Sequence, residues 1–480
     1  MARDTALALW RDPALGWILA LALATRAGIA ALYPTITGFG DEPAHYVSGV
    51  LAAHFGERAI GHWAPGYEAF LGAVFAAAGP HPIAARAAQV LISTLTVALV
   101  YGIARRVSGR KAARIAGTLS ALDPSLIAYS HYLYSETLLA ALLAGAAYAL
   151  CRRPEAPTRR EGIAAGVLLG FATLTRSYVL YFLPIWVGWL ALRRRWEEAR
   201  SALGALLVAL AIVAPWTLRN AMVYGDFLLV DGTAGLTAHF AFNEVLFNSD
   251  LGYPRPGPLV RRHRARCPPV PEPRRELLPP VAELKELFSP GLLDARTARR
   301  LPAELARARR FAGQDTPAVQ RCELARALAF ARQRPELVLE HIAARPYAFW
   351  GPNSFLLRSV HGRAYPGGVL GRDSYPVVKA VVVGSYLLVV TAAILALGRP
   401  GRSRFAEWTL LLCAYATAVH SLAVAYSRYR LPLMPLLMVL ASVWLARPQA
   451  PARGRRAVLA YTALAAFLVL SIHYVSLRLP

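Results

Sequence analysis

Lysine, cysteine and acidic side chains are all scarce in this chain. Lys111, Lys285 and Lys379 are its only lysines. Aspartate and glutamate total 28 against 53 lysines and arginines, so the 480 residues carry a formal net charge of +25. Charged residues make up 17% and hydrophobic residues 56%, against about 25% and about 45–50% in ordinary globular domains. That shortage of charge excludes a disordered chain and argues against a soluble enzyme. Four cysteines are too few for a disulfide framework. Cys151 and Cys413 fall at or inside apolar runs and read as inert. Cys267 and Cys322 share one long hydrophilic stretch, and pairing them requires that it face an oxidising compartment. No His/Cys cluster is present, and two acids hold a divalent ion only with help from substrate oxygens. Metal-independent chemistry, with no cofactor, is the expectation.

What the chain has in excess is apolar runs and arginine. The runs are about 18–22 residues long, enough to cross a bilayer core of about 30 Å. The arginines punctuate them, as at Arg105-Arg106, Arg152-Arg153, Arg193-Arg194-Arg195 and Arg455-Arg456. A nucleic-acid binder gathers its charge on one soluble face. Here the clusters read as topology signals, and no nucleic-acid partner is expected.

Eleven spans are predicted, at 14–34, 86–104, 112–129, 132–150, 161–176, 177–192, 202–220, 376–398, 405–427, 430–446 and 457–477. The first run is too long for a signal-peptide core and reads as a retained helix. With the N-terminus in the cytoplasm, 22 basic residues fall in inside segments and six in short outside segments, the asymmetry expected of this orientation. Residues 64–79, APGYEAFLGAVFAAAG, are short for a span and read as a helix lying at the outer interface. The fold class is therefore an all-α polytopic membrane protein. Residues 1–220 form an N-terminal transmembrane module with a first outer loop at 35–85. A long outer loop runs over 221–375, and C-terminal helices fill 376–480. Within the long loop, 302–311 and 317–345 have helical periodicity, while 252–280 is Pro-rich and irregular.

The informative polar residues gather on the outer side. Gly40-Asp41-Glu42-Pro43-Ala44-His45-Tyr46 follows the first span. It reads as a helix start, with Glu42 as N-cap and Pro43 at the first helical position. A carboxylate fixed there is also well placed to accept a proton. Glu136 lies inside the outer end of an apolar helix, where an ionisable residue is costly and marks function, unless it simply reaches the headgroups. Arg26, Arg176, Arg428 and Arg430 lie near the same face, although arginine also snorkels. Asp41, Glu42, His62, Glu136, Arg176, Arg428 and Arg430 can all approach one outer cavity. Carboxylates with cations there suit a reaction on an anionic lipid.

This order of motifs resembles the GT-C superfamily of membrane glycosyltransferases. The similar branch is family 39-like, with protein O-mannosyltransferases, aminoarabinose transferases of lipid A and RgtA/B/C/D-like proteins. The resemblance rests on DEPAHY after the first span, the interfacial APGYEAFLGAVFAAAG, HYLYSETLL, GFATLTRS, APWTLRN and SRYRLPLMP. It implies transfer of a sugar from a polyprenyl-phosphate donor to a lipid, glycan or protein acceptor on the outer face of the plasma membrane. By matching position, Asp41 implies a general base and Glu42 its partner. Glu136 takes the second acidic position, and Arg176 and Arg430 take basic positions. Arg430, with Arg176 or Arg428, is then expected to clamp the donor phosphate. The family often has Lys or Arg before the Gly-Tyr; here Gly61-His62-Trp63 stands instead, and His62 serves only if protonated or as a hydrogen-bond donor. One direct displacement implies inversion at the anomeric carbon. Transfer of a whole oligosaccharide, a lipid-linked substrate transporter or flippase, and an inactive scaffold are the rival readings. Repeated halves with matching broken helices, expected of many transporters, are not evident.

Overall fold

The structure, a computed structural model, describes residues 12–35, 40–56, 63–152, 156–243, 280–288, 293, 295–314, 317–362, 364–365, 368–398, 403–448 and 455–476. His62, Cys267 and nearly all of the Pro-rich 252–280 lie outside the described residues. The described secondary structure is helical throughout.

The first half contains α1 (Pro13–Leu32), α2 (Glu42–Phe55), α3 (Pro65–Ala78), α4 (Pro82–Ser108), α5 (Arg110–Leu122) and α6 (Pro124–His131). It continues with α7 (Glu136–Leu150), α8 (Arg159–Thr175), α9 (Tyr178–Leu192) and α10 (Trp196–Tyr224). The long loop adds α11 (Ala234–Ala241), α12 (Val281–Lys285), α13 (Ala295–Gln314), α14 (Pro317–Gln333), α15 (Pro335–Trp350) and α16 (Phe355–His361). Then come α17 (Tyr375–Leu397), α18 (Arg404–Leu422), a 3-10 segment at Ser427–Leu433, α19 (Met434–Ala446) and α20 (Arg455–Ser476).

Proline explains many of the starts. α1, α2, α3, α4 and α6 each carry one within the first two helical positions, where the missing N–H costs nothing. Among the described residues, five stretches are long and apolar enough to cross a membrane: Pro13–Leu32, Pro82–Ser108, Trp196–Tyr224, Arg372–Leu397 and Ser427–Ala446. Glu136–Leu150 and Tyr178–Leu192 are shorter apolar helices. The chain is thus an all-α polytopic membrane protein.

Several expectations are revised. The span expected at 112–129 is two helices, because Asp123 caps α6 through a hydrogen bond from the Leu126 amide and Pro124 follows it. The periodic stretch 317–345 is likewise split, with Pro335 opening α15. Asp41, not Glu42, is the N-cap of α2, and its side chain makes no capping hydrogen bond. α3 does form, and its 14 residues extend only about 21 Å, as suits a helix that does not cross. Cys322 is disulfide-bonded, whereas Cys151 and Cys413 are free.

Buried polar groups lock the bundle. Arg26 in α1 donates to Ser93 Oγ at 2.7 Å and to the carbonyls of Ser120 and Ala121 at 2.9 and 3.0 Å. It thereby satisfies the last turn of α5, whose carbonyls have no helical partner. It is a structural residue with no part in the site. α8 lies against α10 along Gly162, Gly166 and Gly170. A Cβ at Gly166 would sit 2.6 Å from the Ala205 carbonyl oxygen, so the small-residue ridge sets that contact. α19 lies within the bundle against α4, α5 and α17, and positions the 3-10 segment that precedes it.

Candidate active site

The site forms where α2, the turn before α7, the α8–α9 junction and the 3-10 segment meet. The turn at 130–135 is bolted in place first. From α4, Arg86 donates to the His131 carbonyl at 3.0 Å, and Gln89 donates to the Tyr132 carbonyl at 2.8 Å. Arg86 also holds the chain leaving α1, through the carbonyls of Tyr33 and Thr35 at 2.6 and 2.7 Å. Glu42 completes the clamp. Its Oε1 accepts from Arg86 at 3.4 Å and from the Leu133 amide at 3.3 Å.

That clamp places Tyr134 and Glu136. The Asp41 amide donates to the Tyr134 hydroxyl at 2.8 Å. The Asp41 carboxylate accepts from Arg428 at 2.9 Å, with 37% of its side chain exposed. Arg428 is wrapped by the rings of Tyr429, Tyr134 and Tyr426, at 5.1, 5.2 and 5.6 Å from the guanidinium carbon. Its Nε lies 3.9 Å from Glu136 Oε1 and makes no hydrogen bond. Glu136 is buried, and it accepts from Arg176 at 3.0 Å. Two carboxylates and two guanidinium groups therefore share one half-buried cluster.

Of the residues expected from sequence, Asp41, Glu136, Arg176 and Arg428 come together. Glu42 does not face the opening; it is fully buried against Arg86 and holds backbone. Arg430 is also set apart. Its guanidinium donates to the carbonyls of Phe349, Gly351 and Asn353 at 2.7, 2.5 and 2.6 Å and lies on the Tyr386 ring. It closes the end of α15, and three of its five N–H groups go to those carbonyls.

Two residues escaped the sequence reading as site residues. His45 sits one turn after Asp41, on the same face of α2. Its Nδ1 is 3.0 Å from Glu68 Oε1 of α3, and both side chains are buried. The Trp63, Tyr67 and Tyr134 rings pack around the imidazole at 4.3, 5.3 and 5.5 Å. Burial and the nearby carboxylates of Glu68, Glu42 and Glu136 push the Tyr67 hydroxyl well above its ordinary value. It stays a neutral donor, to Gln89 at 2.7 Å. The signal in sequence was a glutamate in an otherwise apolar helix. Among the described residues, no group of three or more His, Cys, Asp or Glu side chains converges as a metal site requires.

Residues 62–218 match the model of a family described as dolichyl-phosphate-mannose-protein mannosyltransferase. The match takes in Glu68, Arg86, Tyr134, Glu136 and Arg176; Asp41 and Arg428 lie outside it. No curated protein sequence matches the chain. Among solved structures, ArnT from Cupriavidus metallidurans bound to undecaprenyl phosphate is similar at 14% identity and a TM-score of 0.40, covering 90% of this chain and 78% of that one. The Archaeoglobus fulgidus oligosaccharyltransferase AglB, in complex with an inhibitory peptide and a dolichol-phosphate, is similar at 12% identity and a TM-score of 0.45, covering 97% and 55%. The same oligosaccharyltransferase with zinc and sulfate gives 12% identity and 0.44, covering 96% and 52%. The chain thus spans about half the length of that oligosaccharyltransferase. The family match thus covers about a third of the chain, all of it within the N-terminal half.

Proposed function

We propose that this protein is an inverting glycosyltransferase that moves one sugar from a polyprenyl-phosphate donor to an acceptor on the extracytoplasmic face. The observation that carries the reading is the Asp41–Arg428 pair, 2.9 Å apart beside the buried Glu136–Arg176 pair. A sugar on polyprenyl phosphate brings its own leaving group. The protein has two tasks: to take a proton from the acceptor hydroxyl or amine, and to hold the departing phosphate.

Asp41 suits the first task because its carboxylate is the partly exposed one of the cluster. Arg428 suits the second, since its Nε–H has no hydrogen-bond acceptor, and an anionic phosphoryl oxygen would supply one. The donor phosphate then competes with Asp41 for Arg428, and its arrival frees the carboxylate to act as base. Arg176 balances Glu136 and adds a second positive charge. In a water-poor site such clamping contributes more than it does in water. The acceptor oxygen or nitrogen attacks the anomeric carbon, the bond to the phosphate oxygen breaks, and the proton passes to Asp41. A single displacement inverts the anomeric centre.

The disulfide at Cys322 supports an outward-facing long loop, because disulfides persist in oxidising compartments. The arginine asymmetry of the sequence supports the same side. The matched family is described by a dolichyl-phosphate donor, which supports a polyprenyl carrier. The test uses the purified full chain in proteoliposomes with radiolabelled polyprenyl-phosphate sugars and extracted envelope glycans. Transfer to acceptor with an inverted linkage is expected. Translocation of the donor without transfer overturns the reading in favour of a transporter.

A further inference from the structure

The buried His45–Glu68 pair has no part in the displacement as written, yet it stands behind Asp41. Glu68 and His45 are each almost fully buried, at 2% and 4% exposure. The second oxygen of Glu68 has no hydrogen-bond partner. Burying a carboxylate is costly unless it is paired, and His45 Nδ1, at 3.0 Å, is the partner it has. A hydrogen bond from one ring nitrogen fixes the imidazole's orientation. The imidazole ring meets the Tyr134 ring edge-on at 5.5 Å. The Arg428 guanidinium lies 5.2 Å from the centroid of the same Tyr134 ring. Its hydroxyl receives the Asp41 amide. Tyr134 thus contacts both the imidazole of the His45–Glu68 pair and the cation of the site, and its hydroxyl holds the backbone of Asp41.

We propose that His45 and Glu68 are positioning residues for the transfer reaction: the hydrogen bond between them orients the imidazole that seats Tyr134, and Tyr134 sets where the Asp41 carboxylate stands. The inference rests on Asp41 acting in transfer. The pair is buried, so its loss is expected to act on turnover and to leave donor binding alone. A misplacement of about 1 Å costs on the order of 10²-fold in rate.

The test compares Glu68→Met, which fills the space without accepting from His45, with Glu68→Gln, whose amide oxygen still accepts. Two readouts are taken on the full chain in lipid nanodiscs. One is hydrogen exchange over the peptide containing Asp41. The other is kcat and donor KM with a synthetic polyprenyl-phosphate sugar. Glu68→Met is expected to speed exchange at the Asp41 amide and lower kcat by about 10²-fold with donor KM unchanged. Glu68→Gln is expected to restore both. Normal exchange and kcat in Glu68→Met overturn the proposal. So does a Glu68→Gln variant as impaired as Glu68→Met, or a loss that appears in donor KM instead of kcat. If Asp41→Asn keeps full activity, the general-base reading falls, while the exchange measurement still decides whether the pair seats Asp41.

Discussion

Arg428 reaches Asp41 across 387 residues of chain, its guanidinium donating to the carboxylate at 2.9 Å. The pair joins the turn at the head of α2 to the segment before the penultimate described helix. Asp41→Asn is expected to fold normally and to lose about 10²–10⁴-fold in kcat, the range for removing a general base. Arg428→Ala is expected to lose about 10²–10³-fold in kcat, as for loss of one electrostatic clamp, and also to raise donor KM. Steady-state transfer on matched amounts of folded protein separates the two. An Asp41→Asn variant with wild-type kcat would remove Asp41 from the chemistry.

Gly40 is a second, independent test of how tightly Asp41 is set. Its φ is +65°, and a Cβ there would come within 2.3 Å of the Tyr134 hydroxyl. Gly40→Ala carries the left-handed backbone penalty of about 1–2 kcal/mol and also pushes Tyr134 away. The expected result is a fall in kcat with donor KM kept. Kinetics on the purified variant check this, and unchanged kcat would show that Tyr134 has room to move.

Arg430 and Arg428 are two residues apart and should behave differently. Arg430→Ala orphans three buried carbonyls, at roughly 1 kcal/mol or more each, so a loss of about 3 kcal/mol is expected. The readout is thermal unfolding in detergent. Donor KM, measured on the fraction that remains folded, is expected to stay unchanged. A raised donor KM with unaltered stability would return Arg430 to the phosphate site.

The segment between α10 and α17 is expected to carry a pH dependence of its own. His341 in α15 is buried, with Nδ1 3.3 Å from the Ala241 carbonyl. Burial, and then the Arg345 charge, push its pKa below the ordinary value, partly offset by Ala241 and by Glu340. The folded joint therefore binds fewer protons than the unfolded one. Its stability is present above the unfolded pKa of about 6.5 and is lost as pH falls through and below it. Limited proteolysis between α11 and α15 is expected to quicken on acidification, and His341→Gln should flatten that response. Equal cleavage at both pH values in the wild type would contradict it.

Much of the site was legible because a charge inside an apolar run is costly and therefore informative. Glu136, Arg176 and the acid at the head of α2 stand out in the sequence for that reason alone. Their convergence on one face followed from the alternation of spans. The eleven-span layout was less secure, since hydropathy does not register the break at Asp123-Pro124. The choice between Arg428 and Arg430 was not legible. In a 3-10 turn, side chains two apart point about 240° from one another, so one meets Asp41 and the other meets the end of α15.

By itself the sequence determined that this is a membrane-embedded helical protein, where many of its helices begin, and which ionisable groups are placed against the grain of their surroundings. These follow from local rules: run length, proline at helix starts, and the cost of burying charge. Only the tertiary structure decided which carboxylate meets which cation. Asp41 with Arg428, Glu136 with Arg176, Glu42 with Arg86 and His45 with Glu68 are contacts between separate elements. Local periodicity says which way a side chain points, but the packing of the helices decides what it meets there.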